Sequence, residues 1–214
     1  NSENFVLGGQ LPSAKSTLKI MQLKKEGLVE LASIEDGEGA KCLSFGASSS
    51  PNQHLAVGDF NGDLKIYDIE SQKEIYKVKA HKKIVNSLDA IGGDVGNGAP
   101  EIVTASRDDG VRLWDPRQSA PVSHIFLKSF FSRPMPILKL TIIGHLFTPK
   151  VLSLEPSNKE DVIPDCWCVG FGNSWNDNER SIVAGYDNGD LKLFDLRKNQ
   201  LIWDHNLLNG VCGL

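Results

Sequence analysis

The chain has 214 residues, of which 40% are hydrophobic and 23% are charged, and its formal net charge is −4. A chain of this length and composition can bury an ordinary globular core. The acidic balance, with no run of lysine or arginine, argues against nucleic acid as a partner, and the lack of an apolar run of about 20 residues argues against a membrane span.

The first predicted element is a hairpin near the start of the chain. Phe5 to Gly8 and Ser16 to Leu23 are two strand-like runs that are joined by a segment containing glycine, proline and serine. This hairpin is the least regular of four similar ones. Met21 and Gln22 stand where the other copies carry an aromatic residue and an aspartate.

The second hairpin runs from His54 to Ile69, and Ala40 to Phe45 is predicted as the strand before it. Its turn is Asn61-Gly62, a pair that forms type I′ turns readily because both central residues need a positive φ. Its second strand ends in Tyr67-Asp68.

The third hairpin runs from Glu101 to Pro116, with a turn at residues 107–110. It ends in Trp114-Asp115, and a Trp-Asp pair that closes such a hairpin is typical of a WD-repeat propeller blade. His81 precedes Trp114 by 33 positions, which lies within the range that WD blades use between their histidine and their tryptophan.

The fourth hairpin runs from Ser181 to Leu196 and ends in Phe194-Asp195. The final position of each hairpin sets the repeat period: Gln22 to Asp68 is 46 positions and Asp68 to Asp115 is 47. These distances are slightly longer than the usual blade period of about 40–45 residues. Asp115 to Asp195 is 80 positions, which exceeds one blade.

The repeats predict an all-β fold, namely a WD-repeat β-propeller that spans residues 1–214. Propellers have roughly four to eight blades and close on themselves. Because about four blades are recognisable, we expect an incomplete propeller that is a piece of a longer protein.

The third blade contains a predicted row of buried, hydrogen-bonded side chains: His81, Ser106, Asp108 and Trp114. Such a row satisfies polar groups inside the blade and fixes the register of its strands. The alternative is a catalytic Ser/His/Asp set. It is disfavoured because the structural row explains the spacing and because no Gly-x-Ser-x-Gly motif is present. We therefore expect no catalytic residues and no enzyme activity.

The four cysteines, at positions 42, 166, 168 and 212, fall in or beside predicted inner strands. We interpret them as small buried side chains in a reducing compartment, which favours a cytoplasmic protein. Cys166-x-Cys168 has no second pair of ligands at a zinc-site spacing, so we expect neither a metal nor another cofactor.

The segment 123–154 differs from its surroundings. It contains four of the nine phenylalanines and none of the 27 acidic residues. It is 32 residues long, and subtracting it from the 80 positions between Asp115 and Asp195 leaves 48, a normal period. We interpret it as an insertion. A translated intron or gene-model artefact is favoured over a lineage-specific loop, and Pro134 and Pro136 disfavour a long amphipathic helix on a membrane surface.

Two sets of residues are candidates for partner binding. Phe60, Arg107 and Asp187 occupy equivalent turn positions, so we expect them to cluster on one face, where the variable loops of a propeller bind partners. Two strand ends also resemble the W-D-x-R motif of substrate receptors of cullin-4 ubiquitin ligases, which leaves that function as an alternative. The residues of these motifs are Trp114, Asp115 and Arg117, and Phe194, Asp195 and Arg197.

Three passages, at 98–108 running into 113–118, at 165–173 and at 179–197, resemble the monad-type WD-repeat proteins of the dynein axonemal assembly factor family. The resemblance implies a seven-bladed propeller that serves as an adaptor. Its implied partners are a RuvB-like and prefoldin-like co-chaperone complex and dynein chains, in the cytoplasmic preassembly of axonemal dynein arms.

Overall fold

The structure is a computed structural model, and it describes residues 3–10, 16–48, 53–92, 100–108, 110–118, 123–125, 164–173, 179–198 and 200–214. Every regular element within these residues is a β-strand, and the strands form four antiparallel sheets. The predicted all-β fold is therefore confirmed. The described residues contain no helix long and apolar enough to cross a membrane.

Each sheet pairs its strands in chain order, as the blades of a propeller do. The first sheet consists of β1 (Glu3–Gln10), β2 (Ser16–Lys24) and β3 (Gly27–Asp36). The second consists of β4 (Ala40–Phe45), β5 (His54–Asp59), β6 (Asp63–Asp68) and β7 (Lys73–Lys79). The third consists of β8 (Val85–Ile91), β9 (Glu101–Ser106), β10 (Val111–Trp114) and β11 (Ser123–Ile125). The fourth consists of β12 (Cys166–Gly172), β13 (Ser181–Tyr186), β14 (Asp190–Asp195) and β15 (Gln200–Asn206).

The turn residues explain where the hairpins reverse. Gly62 and Gly189 have φ values of 93° and 89°, which lie in the left-handed region that glycine adopts without a steric cost. In the β5–β6 turn, the Asp59 carboxylate accepts the N–H of Asn61 at 2.9 Å and the N–H of Asp63 at 2.8 Å. These bonds replace ladder bonds that the reversing backbone cannot make.

The strand register repeats from blade to blade. Tyr67, Trp114 and Phe194 lie opposite Leu55, Ile102 and Ile182 respectively. Residues at the same register position can therefore be compared directly between the second, third and fourth sheets.

Three apolar clusters join neighbouring sheets, and each cluster takes side chains from two of them. Leu18 and Ile20 of the first sheet pack with Leu55 and Val57 of the second. Leu64 and Ile66 of the second pack with Ile102 of the third. Val103 and Val111 of the third pack with Ile182 of the fourth. The sheets thus stack side by side as an incomplete β-propeller, as the repeats predict.

The third blade extends three residues into the segment 123–154 that composition distinguishes from its surroundings. β11 pairs with β10, placing Ser123 opposite Leu113 and Ile125 opposite Val111. The rest of that segment, 126–154, lies outside the described residues.

At two glycines in equivalent positions, a neighbouring segment of the chain packs directly against a blade. A methyl group on Gly58 would lie 2.6 Å from Cys42 Sγ and 2.6 Å from Val85 Cγ1. A methyl group on Gly185 would meet Cys168 Sγ and Val211 Cγ1, also at 2.6 Å each. Val85, the first residue of β8, packs against Gly58 of the second blade. Val211 packs in the same way against Gly185 of the fourth blade.

The packing at Gly58 predicts that Gly58→Ala destabilises the full-length protein by about 1–3 kcal/mol, because the added methyl group overpacks a blade junction. Gly37→Ala is the control, since a methyl group there has no atom within 4 Å, and its effect should stay within about 0.5 kcal/mol. Thermal unfolding of both variants measures the difference. Equal midpoints would show that the junction can relax around a larger side chain.

Candidate functional site

Four side chains form a continuous hydrogen-bonded row through the third blade. His81 Nδ1 lies 2.9 Å from Asp108 Oδ1, and His81 Nε2 lies 2.8 Å from Thr104 Oγ1. The Trp114 indole donates to the same Thr104 oxygen at 2.9 Å. Thr104, His81 and Trp114 are all at most 2% exposed, so the row lies inside the blade.

The structure brings together three of the four predicted row residues but replaces Ser106 with Thr104. The Ser106 hydroxyl lies 2.8 Å from the Ile84 carbonyl and accepts the Asp108 N–H at 3.1 Å. Ser106 and Thr104 both belong to β9 and, two residues apart, face the same side of the sheet. The strand register decides which of the two hydroxyl groups joins the row. Thr104 lies diagonally opposite Trp114, whereas the Ser106 hydroxyl bonds the Ile84 carbonyl just before β8.

The protonation states of the row follow from its burial. Burial lowers the pKa of His81 even though the Asp108 carboxylate opposes this shift. Burial alone would raise the pKa of Asp108, but the His81 bond and the N–H of Lys82 hold it below its usual value. A neutral His81 accepts from the Thr104 hydroxyl and donates to an ionised Asp108. The Ser106 hydroxyl makes its hydrogen bonds to backbone groups and not to the imidazole, so the alternative Ser/His/Asp set is not assembled.

The second blade has an ionic cluster in place of this row. Asp36 stands four residues before β4, as His81 stands four residues before β8. Its Oδ1 accepts from Lys65 Nζ at 2.6 Å and from the Tyr67 hydroxyl at 3.1 Å. The side chains of Lys65 and Asp36 are only 2% and 1% exposed. Tyr67 thus takes the place of Trp114, and Asp36 takes the place of His81.

Sequence reasoning missed this cluster, although a signal for it is visible. In each complete blade a basic residue stands two positions before the strand-ending aromatic residue, and in each it is buried. These residues are Lys65, Arg112 and Lys192. A charged residue that recurs between apolar neighbours in a central strand is a candidate for an internal partner, although the corresponding Lys19 of the first blade is exposed and pairs with Glu30.

The carboxylates of Glu38, Asp59 and Asp63 lie close enough together to hold a cation. Lysine ammonium groups already occupy that space: Lys65 lies 2.9 Å from Glu38 and 3.3 Å from Asp59. Lys77 bonds Glu38 at 3.0 Å, and the bonds from Lys65 and, to a smaller extent, Lys77 lower the pKa of Glu38 to about 2. A cavity of about 640 Å³ borders the cluster, but the charged groups that the cluster contributes to its wall are paired with one another.

The three predicted turn residues occupy equivalent positions in the second, third and fourth blades. Each donates its N–H to a carbonyl that precedes the inner strand of its own blade: Phe60 to Gly39 at 3.4 Å, Arg107 to Ile84 at 3.1 Å, and Asp187 to Asp165 at 3.0 Å. Arg107 also bonds the Asp165 carboxylate through Nε at 2.9 Å. All three turns therefore lie at the same end of their blades.

Two of these residues line one depression. Its volume is about 440 Å³, and the structure places Phe60 and Arg107 in its wall. Four residues that the sequence did not single out complete the lining: Asn61, Lys82, Lys83 and Ile84. Asp187 does not line this depression.

The residues of the two W-D-x-R-type motifs act within their own turns. The Asp115 carboxylate accepts the Arg117 N–H at 2.9 Å and pairs with the Arg117 guanidinium at 2.6 Å. Asp195 accepts the N–H groups of Arg197 and Lys198, each at 2.9 Å. Trp114 and Phe194 are buried in the cores. The aspartates thus cap the turns that follow the third strands.

Comparison with known proteins places these observations in a family context. Residues 72–115 match the family model described as "WD domain, G-beta repeat". This match includes both His81 and Trp114, two members of the hydrogen-bonded row in the third blade.

The whole chain is similar to curated proteins named dynein axonemal assembly factor 10. The human protein is 40% identical over 215 residues, which covers 100% of this chain and 52% of the relative. The Chlamydomonas reinhardtii protein is 40% identical over 98% of this chain and 51% of the relative, and the Dictyostelium discoideum protein is 25% identical over 94% and 51%. The chain therefore spans about half the length of the curated relatives it matches.

Among solved structures, the computationally designed Ika8 protein superposes with a TM-score of 0.57 at 15% sequence identity. The match covers 95% of this chain and 50% of the Ika8 chain. At this identity the likeness concerns the fold alone.

The row predicts that Thr104→Val destabilises the full-length protein more than Ser106→Ala. The first change leaves His81 Nε2 and the Trp114 indole without partners inside the blade, at a cost of roughly 2–4 kcal/mol. The second removes bonds at the edge of the strand and should cost about 1 kcal/mol. Chemical unfolding of both variants gives the order, and the reverse order would assign the row to Ser106.

The ionic cluster predicts that Lys65→Met destabilises the protein by roughly 3–5 kcal/mol, because it leaves buried carboxylates without their cation. The matched control is Lys19→Met, at the corresponding position of the first blade. Lys19 pairs with Glu30 at 2.7 Å, but both side chains are more than 40% exposed, so its loss should cost less than about 1 kcal/mol. Similar unfolding midpoints for the two variants would mean that the buried cluster stabilises nothing.

Proposed function

The chain is a WD-repeat homologue of the dynein axonemal assembly factors, and we propose that the protein to which it belongs is a non-catalytic adaptor in the preassembly of axonemal dynein arms. The observation that supports the dynein role most directly is 40% identity, across the whole chain, to proteins that carry this name. The chain matches about half the length of these relatives. The role of the whole protein is therefore part of the proposal.

The physical features of the blades support an adaptor role. The second and third blades are held from inside by buried polar groups, and apolar clusters join neighbouring blades. Such a scaffold is rigid, so loops that project from it present side chains at constant distances. A surface of this kind suits the holding of one protein against another and requires no chemistry of its own.

We further propose that the adaptor works in the cytoplasm with a RuvB-like and prefoldin-like co-chaperone complex. This finer assignment rests on the resemblance of the three sequence passages to the monad-type proteins. The contact face would be the end of the blades that carries Phe60, Arg107 and Asp187. The depression beside Phe60 and Arg107 supports this choice of face, because it exposes an aromatic ring and cationic groups together.

The proposed function predicts that depletion of the full-length protein from a ciliated cell leaves axonemes without normal dynein arms and with impaired beating. Electron microscopy of axonemes and motility recording measure both effects. Re-expression of the wild-type protein should restore them.

Normal arms and normal beating after complete loss would overturn the proposal. Purification of the tagged protein from the same cells supplies the second readout. Recovery with the propeller adaptor of a cullin-4 ligase, in place of co-chaperone components, would favour the ubiquitin-ligase alternative.

A further inference from the structure

We propose that the depression between the second and third blades binds an acidic peptide segment that carries an apolar side chain, contributed by a protein partner. The depression is lined by Phe60, Asn61, Lys82, Lys83, Ile84 and Arg107. This inference deepens the adaptor role proposed above and rests on it for the existence of a partner.

Charge is the first argument. The lining contains two lysines and an arginine but no acidic residue, whereas the chain as a whole has a formal net charge of −4. Arg107 is already paired with Asp165, so the two lysines supply the charge that is open to a partner. Lys82 and Lys83 are exposed, and their ammonium groups form no ion pair with any residue in the described part of the chain. The depression is therefore a local concentration of positive charge whose natural complement is carboxylate.

An apolar surface lies beside these cations. The Phe60 side chain is 38% exposed although it follows a buried strand, and Ile84 is half-buried in the opposite wall. An aromatic ring at the tip of a turn contributes little to the core, but it can cover a partner's apolar side chain and exclude water from nearby charge pairs.

The backbone that carries these side chains is held firmly in place. A methyl group on Gly62 would lie 2.4 Å from the Lys83 carbonyl and 2.5 Å from the His81 carbonyl, so the β5–β6 turn packs directly on the chain that enters β8. Ser106 fixes the same chain from the other side through its bond to Ile84. Since the segments are already positioned, binding need order only the side chains, which favours affinity.

The backbone N–H groups of the depression favour carboxylates over a tightly held phosphate. Phosphate cradles use several free backbone N–H groups that point at one spot. Here the N–H groups of Phe60, Asn61, Lys82 and Arg107 are all bonded within the protein, to Gly39, Asp59, Asp108 and Ile84 respectively. With four of the six lining N–H groups engaged, the site offers mainly flexible side-chain cations, and these suit carboxylates spread along a peptide.

The test measures binding of the full-length protein to a fluorescein-labelled peptide rich in Asp and Glu with one central leucine, by fluorescence anisotropy. The double variant Lys82→Glu with Lys83→Glu should weaken binding by about tenfold or more, because it reverses the charge of the site. The adjacent pair Lys24 and Lys25, in the β2–β3 turn of the first blade, is the matched control. Both lysines are exposed there too, and the same double reversal should change the affinity by less than about twofold.

A second variant tests the apolar contribution. Phe60→Ser should weaken binding of the leucine peptide by roughly fivefold and should leave the weaker binding of a peptide with serine in place of leucine unchanged. No binding by the wild type, or equal loss with the two lysine pairs, would overturn the inference. Binding that appears only when the peptide is phosphorylated would overturn it as well, since the site would then recognise phosphate.

Failure of this inference is distinguishable from failure of the adaptor role. The peptide measurement uses purified protein and does not depend on dynein assembly. Loss of dynein arms on depletion, with no peptide binding in vitro, would keep the adaptor role and remove the depression from it. Peptide binding in vitro, with normal arms after depletion, would keep the depression as a binding site and overturn the adaptor role in dynein assembly.

Discussion

The structure depends on the satisfaction of buried polar groups at the centres of its second and third blades. A sheet that is covered on both faces by neighbouring blades gives its interior side chains no water to bond. The third blade meets this constraint with the Asp108–His81–Thr104–Trp114 row, and the second blade meets it with Lys65, Asp36 and Tyr67. Two different chemical solutions at the same register position show that the constraint acts on polar satisfaction and not on particular residue types.

Much of the fold is predictable from the sequence because the hairpins are marked by local chemistry. Glycine turns and strand-ending aromatic residues repeat at a blade period, and the structure places a strand at each predicted hairpin arm. The repeat pattern does not specify the last residue of a blade when the outer strand of that blade is short. β11 has three residues and no repeat of its own, so composition assigns Ser123–Ile125 to the neighbouring segment although it pairs with β10.

The interior site was less predictable, for a reason of geometry. Thr104 and Ser106 share a face of β9, and a sequence alone does not say which is diagonal to Trp114. The ionic cluster is harder still, since Asp36 and Lys65 are 29 positions apart and Asp36 stands where the third blade has its histidine. At the surface, Phe60 and Arg107 follow from the equivalence of turns. Lys82 and Lys83 belong to a connection between blades that carries no repeating signal.

The interior row and the surface depression are one structural unit. Asp108 uses Oδ1 to bond His81 inside the blade and Oδ2 to accept the Lys82 N–H at 2.8 Å at the surface. Ser106, which the row does not use, bonds the Ile84 carbonyl and the Asp108 N–H. The same carboxylate that satisfies the buried histidine thus positions the loop whose lysines line the depression. Because a buried network has few alternative arrangements, the loop inherits its rigidity, and the residues that stabilise the blade also determine where its binding groups lie.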